Sequence, residues 1–318
     1  MKAHSIIAVI FFCLMSYSQN VKIAGTLQVI GTQLSDSKGN PIELHGMSLG
    51  WSCFHPRFYT PETVKWLKKD WNCNVIRASL GVEPDNGYLK DSIGSMKRMN
   101  TVIKACIKED VYVIIDWHSH NIQMKEAKSF FDKMSKQYGH YSNVIYEIFN
   151  EPDYETWPEV KNYANEIIKT IRKNDPNNII LVGCPSWDQD IHLVAQDPIQ
   201  DQKNIIYTVH FYAATHKQWL RDRTNEAIKK GIPIFISESA GMEATGDGPL
   251  DYQEWQKYFD WIREQKLSWI TWSVSDKDET CSVLKTLASS KGKWKDKDLK
   301  ESGLKTREYL RTYSNKNK

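Results

Sequence analysis

The sequence predicts an α/β fold, a single (β/α)8 TIM barrel carrying a short N-terminal β-hairpin. Three observations predict it. Eight short apolar or β-branched runs alternate with amphipathic segments, and their starts lie roughly 25 to 37 residues apart, the length that one strand and its crossover need. Runs such as Val111-Tyr112-Val113-Ile114-Ile115 and Pro233-Ile234-Phe235-Ile236 are continuously apolar, as strands covered on both faces must be. No Gly-x-Gly-x-x-Gly follows the first run, which argues against an open dinucleotide-binding sheet.

The expected strands are residues 43–48, 74–80, 111–117, 144–150, 179–184, 204–212, 233–239 and 269–275. Between them, Met96, Val102, Ile103, Cys106 and Ile107 recur at helical spacing, as do Val160, Tyr163, Ile167, Ile168 and Ile171. Thr60-Pro61-Glu62 reads as a helix start, with an N-cap followed by a proline whose missing N–H costs nothing there. Lys229-Lys230-Gly231 reads as a helix end. Ahead of the first strand, residues 27–34 and 41–44 flank the turn-forming Asp36-Ser37-Lys38-Gly39-Asn40, so a hairpin is expected to close the barrel bottom.

Residues 1–18 differ from the rest. Lys2 precedes an apolar stretch over 6–15, and Ser16-Tyr17-Ser18 offers small residues at the two key cleavage positions. This is the pattern of a secretory signal peptide cut before Gln19, so the protein is expected to be secreted, extracellular or periplasmic. The stretch is too short to span a bilayer, and no other run is long enough. Residues 19–318 then form one domain, because no Pro- or Ser-rich linker or domain-sized repeat interrupts them.

The 42 Lys and Arg nearly balance 39 Asp and Glu. No basic run with interleaved aromatics points to nucleic acid; an enzyme for an uncharged substrate fits this balance, as many other proteins would, and a monomer is expected. The Lys-rich stretch over 291–318 reads as solvated surface. Cys53, Cys73, Cys106, Cys184 and Cys281 remain after residue 18, with no close pairs, so neither a disulfide scaffold nor a Cys-x-x-Cys zinc site is expected.

Barrel enzymes carry their chemistry where strands end. At these ends stand Trp51, Arg77, His118, Asn150, Glu151, Trp187, His210, Tyr212, Glu238 and Trp272. Glu151 and Glu238 directly follow apolar strands four and seven, where an unpaired carboxylate cannot hide in the core. The two strands lie across the barrel from each other, so the carboxylates are expected to face over the cavity. Two facing carboxylates suit glycosidic cleavage, one protonating the leaving oxygen and the other attacking the anomeric carbon. The charge of Glu238 is expected to raise the pKa of Glu151 and keep it protonated. Arg77 would orient Glu238, and Asn150 would reach a sugar 2-hydroxyl. His210 and Tyr212 share a face, so one would orient the acid and the other donate to the nucleophile. Asp116 would fix the tautomer of His118. A pair of structural salt-bridge glutamates is the competing account. No His-Glu-x-x-His motif is present, His118 and His120 form the one candidate metal pair, and no Gly-x-Ser-x-Gly elbow occurs.

These residues resemble glycoside hydrolase family five, most closely its bacterial endo-β-1,4-glucanases (cellulases). The most specific motif is Ile148-Phe149-Asn150-Glu151-Pro152. Asn74-Val75-Ile76-Arg77, Ile115-Asp116-Trp117-His118, His210-Phe211-Tyr212-Ala213, Ile236-Ser237-Glu238 and Trp272-Ser273-Val274-Ser275-Asp276-Lys277 accompany it. The resemblance implies Glu151 as acid/base, Glu238 as nucleophile, and Arg77, His118, Asn150, His210, Tyr212 and Trp272 around the sugar. It implies Trp187 as a leaving-group-side stacking residue, and Lys277 with Glu279 as a hydroxyl-binding pair on the glycone side. No metal or organic cofactor is implied, and the implied partner is a β-glucan polysaccharide or oligosaccharide. The chain departs from the pattern in Leu49-Gly50-Trp51, where many relatives carry a His before the aromatic, at Gly81, where they often carry Tyr, and at Ser239, where an aromatic residue is frequent. Mannan, xyloglucan or mixed-linkage β-glucan remain alternative substrates, and a non-catalytic glycan-binding barrel remains the alternative of another class.

Overall fold

The computed structural model describes residues 21–316. The signal-peptide pattern of residues 1–18 lies outside the described residues. Eight parallel strands close into a barrel in chain order, the last strand pairing with the first. They are β3 His45–Leu49, β4 Val75–Gly81, β5 Tyr112–His118, β6 Val144–Glu147, β7 Ile180–Val182, β8 Ile205–Tyr212, β9 Ile234–Ala240 and β10 Ser268–Val274. Two strands precede them, β1 Gln28–Ile30 and β2 Gln33–Ser35, paired antiparallel. Helices such as Pro61–Trp71, Ser92–Glu109 and Trp157–Arg172 cover the outside. The first starts as its sequence implies, Thr60 accepting a hydrogen bond from the Thr63 N–H at 3.2 Å ahead of Pro61. Among the described residues, no helix is long and apolar enough to cross a membrane.

The hairpin is present, but its turn is not where the polar stretch suggested. Gly31, at φ +60°, turns the chain between β1 and β2, inside the expected first strand. Residues 36–40 form a second turn closed by the Ser35–Pro41 bridge, with Asp36 accepting from the Lys38 and Asn40 N–H groups at 2.8 Å each. A two-residue connection with a left-handed glycine suffices for a tight hairpin, so the more polar loop was the weaker signal.

The hairpin does close the barrel bottom. Val21, Ala24, Leu27, Leu34 and Ile42 pack into one apolar cluster with Val75, Ile114, Ile145, Leu181, Ile206, Phe235 and Ile270 from seven strands. A larger cluster fills the space between strands and helices. It includes Tyr309, Leu310 and Tyr313 of the terminal helix Glu301–Lys316, so this Lys-rich segment is packed on one face rather than wholly solvated. Among the described residues, the five cysteines are buried free thiols.

Strand alternation sets the interior. From the apolar bottom, every second residue leads to Arg77, Asp116, Glu147, Thr208 and Ser237, which are fully buried. The barrel is therefore greasy below and polar above, and that boundary positions the site. Closure of β3 on β4 needs a glycine: a Cβ at Gly46 would lie 1.8 Å from the Val75 carbonyl oxygen. Gly46→Ala is expected to cost about 1–3 kcal/mol or more, read as a lower unfolding midpoint in denaturant.

Candidate active site

Arg77 organises the polar layer. Its Nε donates to Glu147 Oε2 at 2.6 Å, Nη1 to Glu238 Oε2 at 2.8 Å, and Nη2 to Asn150 Oδ1 at 2.6 Å. Asp116 Oδ2 lies 3.1 Å from Nη2. Burial alone would weaken the guanidinium's hold on its proton, but Asp116, Glu147 and Glu238 hold the pKa well above its ordinary value. The same guanidinium reverses the effect of burial on Glu147, whose carboxyl is held down to about 2. Asp116 goes the other way. Burial raises its pKa well above the usual range against the opposing pull of Arg77.

Glu238 reaches this layer through an irregularity. β8 and β9 pair Thr208 with Phe235 and then His210 with Glu238, so β9 contains an extra residue between them. Simple alternation from Phe235 would send Glu238 outward. The bulge lets consecutive Ser237 and Glu238 both face the cavity. Tyr212 donates to Glu238 Oε1 at 2.6 Å, leaving one donor on each carboxylate oxygen. Burial and the Glu238 charge push the Tyr212 phenol well up, so it stays a donor.

Glu151 stands opposite, just beyond β6. The chain there still pairs with β5: the Asn150 and Glu151 N–H groups donate to Trp117 and Ser119 carbonyls at 3.2 and 3.4 Å. Carboxylate oxygens of Glu151 and Glu238 and a His210 ring nitrogen all lie within 4.8 Å of one another. That is close to the separation of about 5–5.5 Å used in retaining glycosidases, and far below the roughly 6.5–9.5 Å of inverting ones. A metal ion would also fit between atoms so spaced. The donor set argues against it, because Arg77 and Tyr212 already donate to the two oxygens of Glu238 and a His210 nitrogen faces Glu151.

The expectation that Glu238 keeps Glu151 protonated is corrected. His210 Nδ1 lies 2.8 Å from Glu151 Oε1. Burial would raise the carboxyl, but the hydrogen bond and charge of His210 hold it down to about 2. His210 in turn is held well above its ordinary value; burial opposes this, and Asp188, Glu147 and Glu151 outweigh it. The two form one proton-sharing pair, a coupling that sequence separation conceals. His118 is the contrasting case: burial and Arg77 push it well below its ordinary value, and the neutral ring meets Asp116 at 2.7 Å as expected.

Aromatic rings flank the acids on two sides. Trp272 stacks on His118 at 5.1 Å and 6°, and Trp51 meets His118 edge-on at 4.3 Å. Gly81 is what admits Trp51: a Cβ there would lie 2.5 Å from Cys53 Sγ and 3.1 Å from the Trp51 ring. On the other side Trp187 is 39% exposed and meets the almost fully exposed Tyr154 at 5.8 Å. Lys277 and Glu279 pair with each other at 2.5 Å on the loop after β10, with Lys277 largely exposed. Thus Arg77, Asn150, Tyr212, His210 and the two glutamates form one network, His118, Trp51 and Trp272 line one wall, and Trp187, Lys277 and Glu279 stand at the rim. The buried Nδ2 of Asn150 has no protein partner, a donor available to a sugar hydroxyl.

Three contributors were not anticipated. Glu147 was hidden inside an apolar strand, although counting by twos from Ile145 places it in the interior. His120 was assigned to the loop, yet its ring stacks on Trp51 at 5.8 Å and its Nδ1 lies 3.9 Å from Glu151 Oε2. Asp188, fully buried, lies 3.2 Å from His210 Nε2; no periodic signal marks it, because it belongs to a loop.

A closed parallel barrel with facing carboxylates in an aromatic-walled, polar mouth is an arrangement that glycosidic cleavage uses. The chain belongs to the cellulase family, glycosyl hydrolase family 5, whose model matches residues 35–278. It is 43% identical to an endoglucanase from Clostridium saccharobutylicum over 88% of this chain and 64% of that one, so it spans under two thirds of the relative's length. A solved structure from Cytophaga hutchinsonii superposes with TM-score 0.91 at 39% identity, covering 93% of this chain and 97% of that one. The catalytic domain of a Thermobifida fusca endoglucanase superposes with TM-score 0.87 at 33% identity, covering 92% and 99%.

Arg77 is the side chain this site can least spare. Arg77→Met leaves Asp116, Glu147 and Glu238 around a missing charge and is expected to cost about 3–5 kcal/mol, measured by denaturant titration. Arg77→Lys is expected to recover only part of it, because an ammonium cannot reproduce the planar fork.

Proposed function

We propose that the protein is a secreted, retaining endo-β-1,4-glucanase that cuts internal bonds of cellulose-type glucans by double displacement. One observation carries the mechanism, the short approach of the Glu151 and Glu238 carboxylates, within 4.8 Å. Family membership supports the substrate class, and a form of the Thermobifida fusca enzyme has been solved with cellotetraose. Exposed aromatics on both sides of the acids, Phe54 beside Trp51 and Tyr154 beside Trp187, suit a chain that runs through the site rather than ending in it.

In the first step a Glu238 oxygen attacks the anomeric carbon while Glu151 protonates the departing glycosidic oxygen. The proton held on His210 passes to Glu151 along their 2.8 Å hydrogen bond, so the pair is the acid rather than Glu151 alone. Arg77 and Tyr212 keep Glu238 aimed, and the unpartnered Asn150 amide meets the 2-hydroxyl, where binding strengthens in the transition state. In the second step Glu151, now ionised, takes a proton from water as it attacks the glycosyl–Glu238 ester, releasing sugar with its original anomeric configuration.

Glu151→Gln and Glu238→Gln are each expected to lower turnover on carboxymethylcellulose by about a hundred- to ten-thousand-fold or more, assayed as reducing ends. Proton NMR should record the β-anomer first; an α-anomer would reject double displacement. Faster turnover of galactomannan, xyloglucan or mixed-linkage glucan would move the substrate assignment. For secretion, the support is the pattern of residues 1–18. The N-terminal sequence of protein recovered from medium or periplasm is expected to begin at Gln19.

A further inference from the structure

The loop after β7 contains an arrangement that the reaction scheme leaves unused. Ser186, Trp187 and Asp188 are three consecutive non-glycine residues in the left-handed region, at φ 59°, 54° and 60°. Such a stretch is sterically unfavourable and persists only where its surroundings over-determine it. The fastening is the Asp188 carboxyl. Its Oδ1 accepts from the Cys184 N–H at 2.6 Å, and its Oδ2 accepts from the Thr208 hydroxyl at 2.5 Å. That same Oδ2 lies 3.2 Å from His210 Nε2. Gly183 leaves the room, since a Cβ there would lie 3.0 Å from Asp188 Oδ1. The Trp187 N–H donates to the Pro152 carbonyl at 2.9 Å, tying the turn to the segment that bears Glu151.

We propose that Asp188 is a positioning residue for the leaving-group side of the cleft, seating the protonated His210 against Glu151 and locking the turn that presents Trp187. The inference rests on Glu151 being the acid/base. His210 is faced by Glu147 from β6 at 3.9 Å, Glu151 at 2.8 Å, Asp188 at 3.2 Å and Ser237 from β9 at 2.8 Å. Glu238 is its register partner, Tyr212 follows on its own strand, and the Asp116 and His216 charges also reach it. Of these, Asp188 alone joins the His210 ring to the backbone that carries the exposed indole. Burial pushes the Asp188 carboxyl up while His210 pulls it down, so the two share a proton across the 3.2 Å contact. Replacing the carboxyl by an amide removes that acceptor, weakens the hold of His210 on its proton, and lets the proton be lost at lower pH.

The test is Asp188→Asn, which keeps size and shape, assayed on carboxymethylcellulose and on an aryl β-cellobioside with a good leaving group. The alkaline limb of kcat/KM on the polymer is expected to move down by about one pH unit, with a several-fold higher KM. The kcat on the activated aryl substrate, which leaves without a proton, should change little. An unmoved alkaline limb, with only a lower unfolding temperature, would make Asp188 merely structural and overturn the inference. If Asp188→Asn does not fold, Thr208→Val removes the hydroxyl that fixes the carboxyl; it is expected to displace the same limb, and an unmoved limb again overturns the inference. Glu151→Gln measured alongside separates the two assignments. If it leaves the polymer rate intact, the acid/base assignment falls and the inference with it. If it abolishes that rate while Asp188→Asn keeps the wild-type profile, only the role of Asp188 falls.

Discussion

A guanidinium with no exposure to water sits at the polar end of this barrel, and the rest of the site is arranged around that fact. Moving such an ion out of water costs several kcal/mol even after relaxation, and only well-placed opposite charges offset it. Arg77 finds them on three elements: Asp116 on β5, Glu147 on β6 and Glu238 on β9. None of the three strands neighbours all the others, so the charges come together only when the barrel has closed. The interaction that makes the polar layer tolerable is thus the one that aims Glu238 and Asn150. Folding and pre-organisation are here the same event.

The second cation, His210, divides the carboxylates differently. Asp188, Glu147 and Glu151 surround it, and its proton affinity rises in consequence. Two cations therefore serve five carboxyl groups: Asp116, Glu147, Glu151, Asp188 and Glu238. Such a set is not stable fully ionised, and the opposite shifts within it resolve the excess. Glu147 and Glu151 are held low by their partners, whereas burial raises Asp116 and Asp188. Acid strength here belongs to the network, and a single residue considered alone gives the wrong sign, as it did for Glu151.

That error locates the limits of reading by sequence. Barrel topology was legible because eight apolar runs at regular spacing admit few other packings. Glu151 and Glu238 were legible because each interrupts an apolar strand end, and Arg77, His210 and Tyr212 because they do the same. Glu147 was concealed by the converse, an acid placed mid-strand where only its interior phase reveals it. The bulge in β9 lies deeper still, since nothing in Ile234-Phe235-Ile236-Ser237-Glu238 announces an extra residue, and strict alternation would have turned Glu238 away from the cavity. The hairpin turn was misplaced because a single left-handed glycine outweighed a longer polar stretch. Distances between chain-distant groups, such as His210 to Glu151, have no local signature at all.

The cleft walls follow from the same division of labour. Most of the acids and their partners stand on strands, whose pairing fixes them, while three exposed rings stand on loops after strands: Phe54 after β3, Tyr154 after β6 and Trp187 after β7. A polymer contacts the loops over a long stretch but reacts at one bond. Apolar sugar faces settling on rings to either side would hold that bond over the acids without any residue gripping a chain end. For the proposed glucanase an internal cut would be the natural outcome of such an arrangement, and its precision would depend on how firmly the rings are tied to the strands. Trp51 is tied through the gap at Gly81 and its contact with His118. Trp187 lies on a strained turn that has to be held from below, and the carboxyl holding it also touches the histidine of the acid. Substrate seated on that ring would, under the proposed roles, be mechanically coupled to the proton it needs.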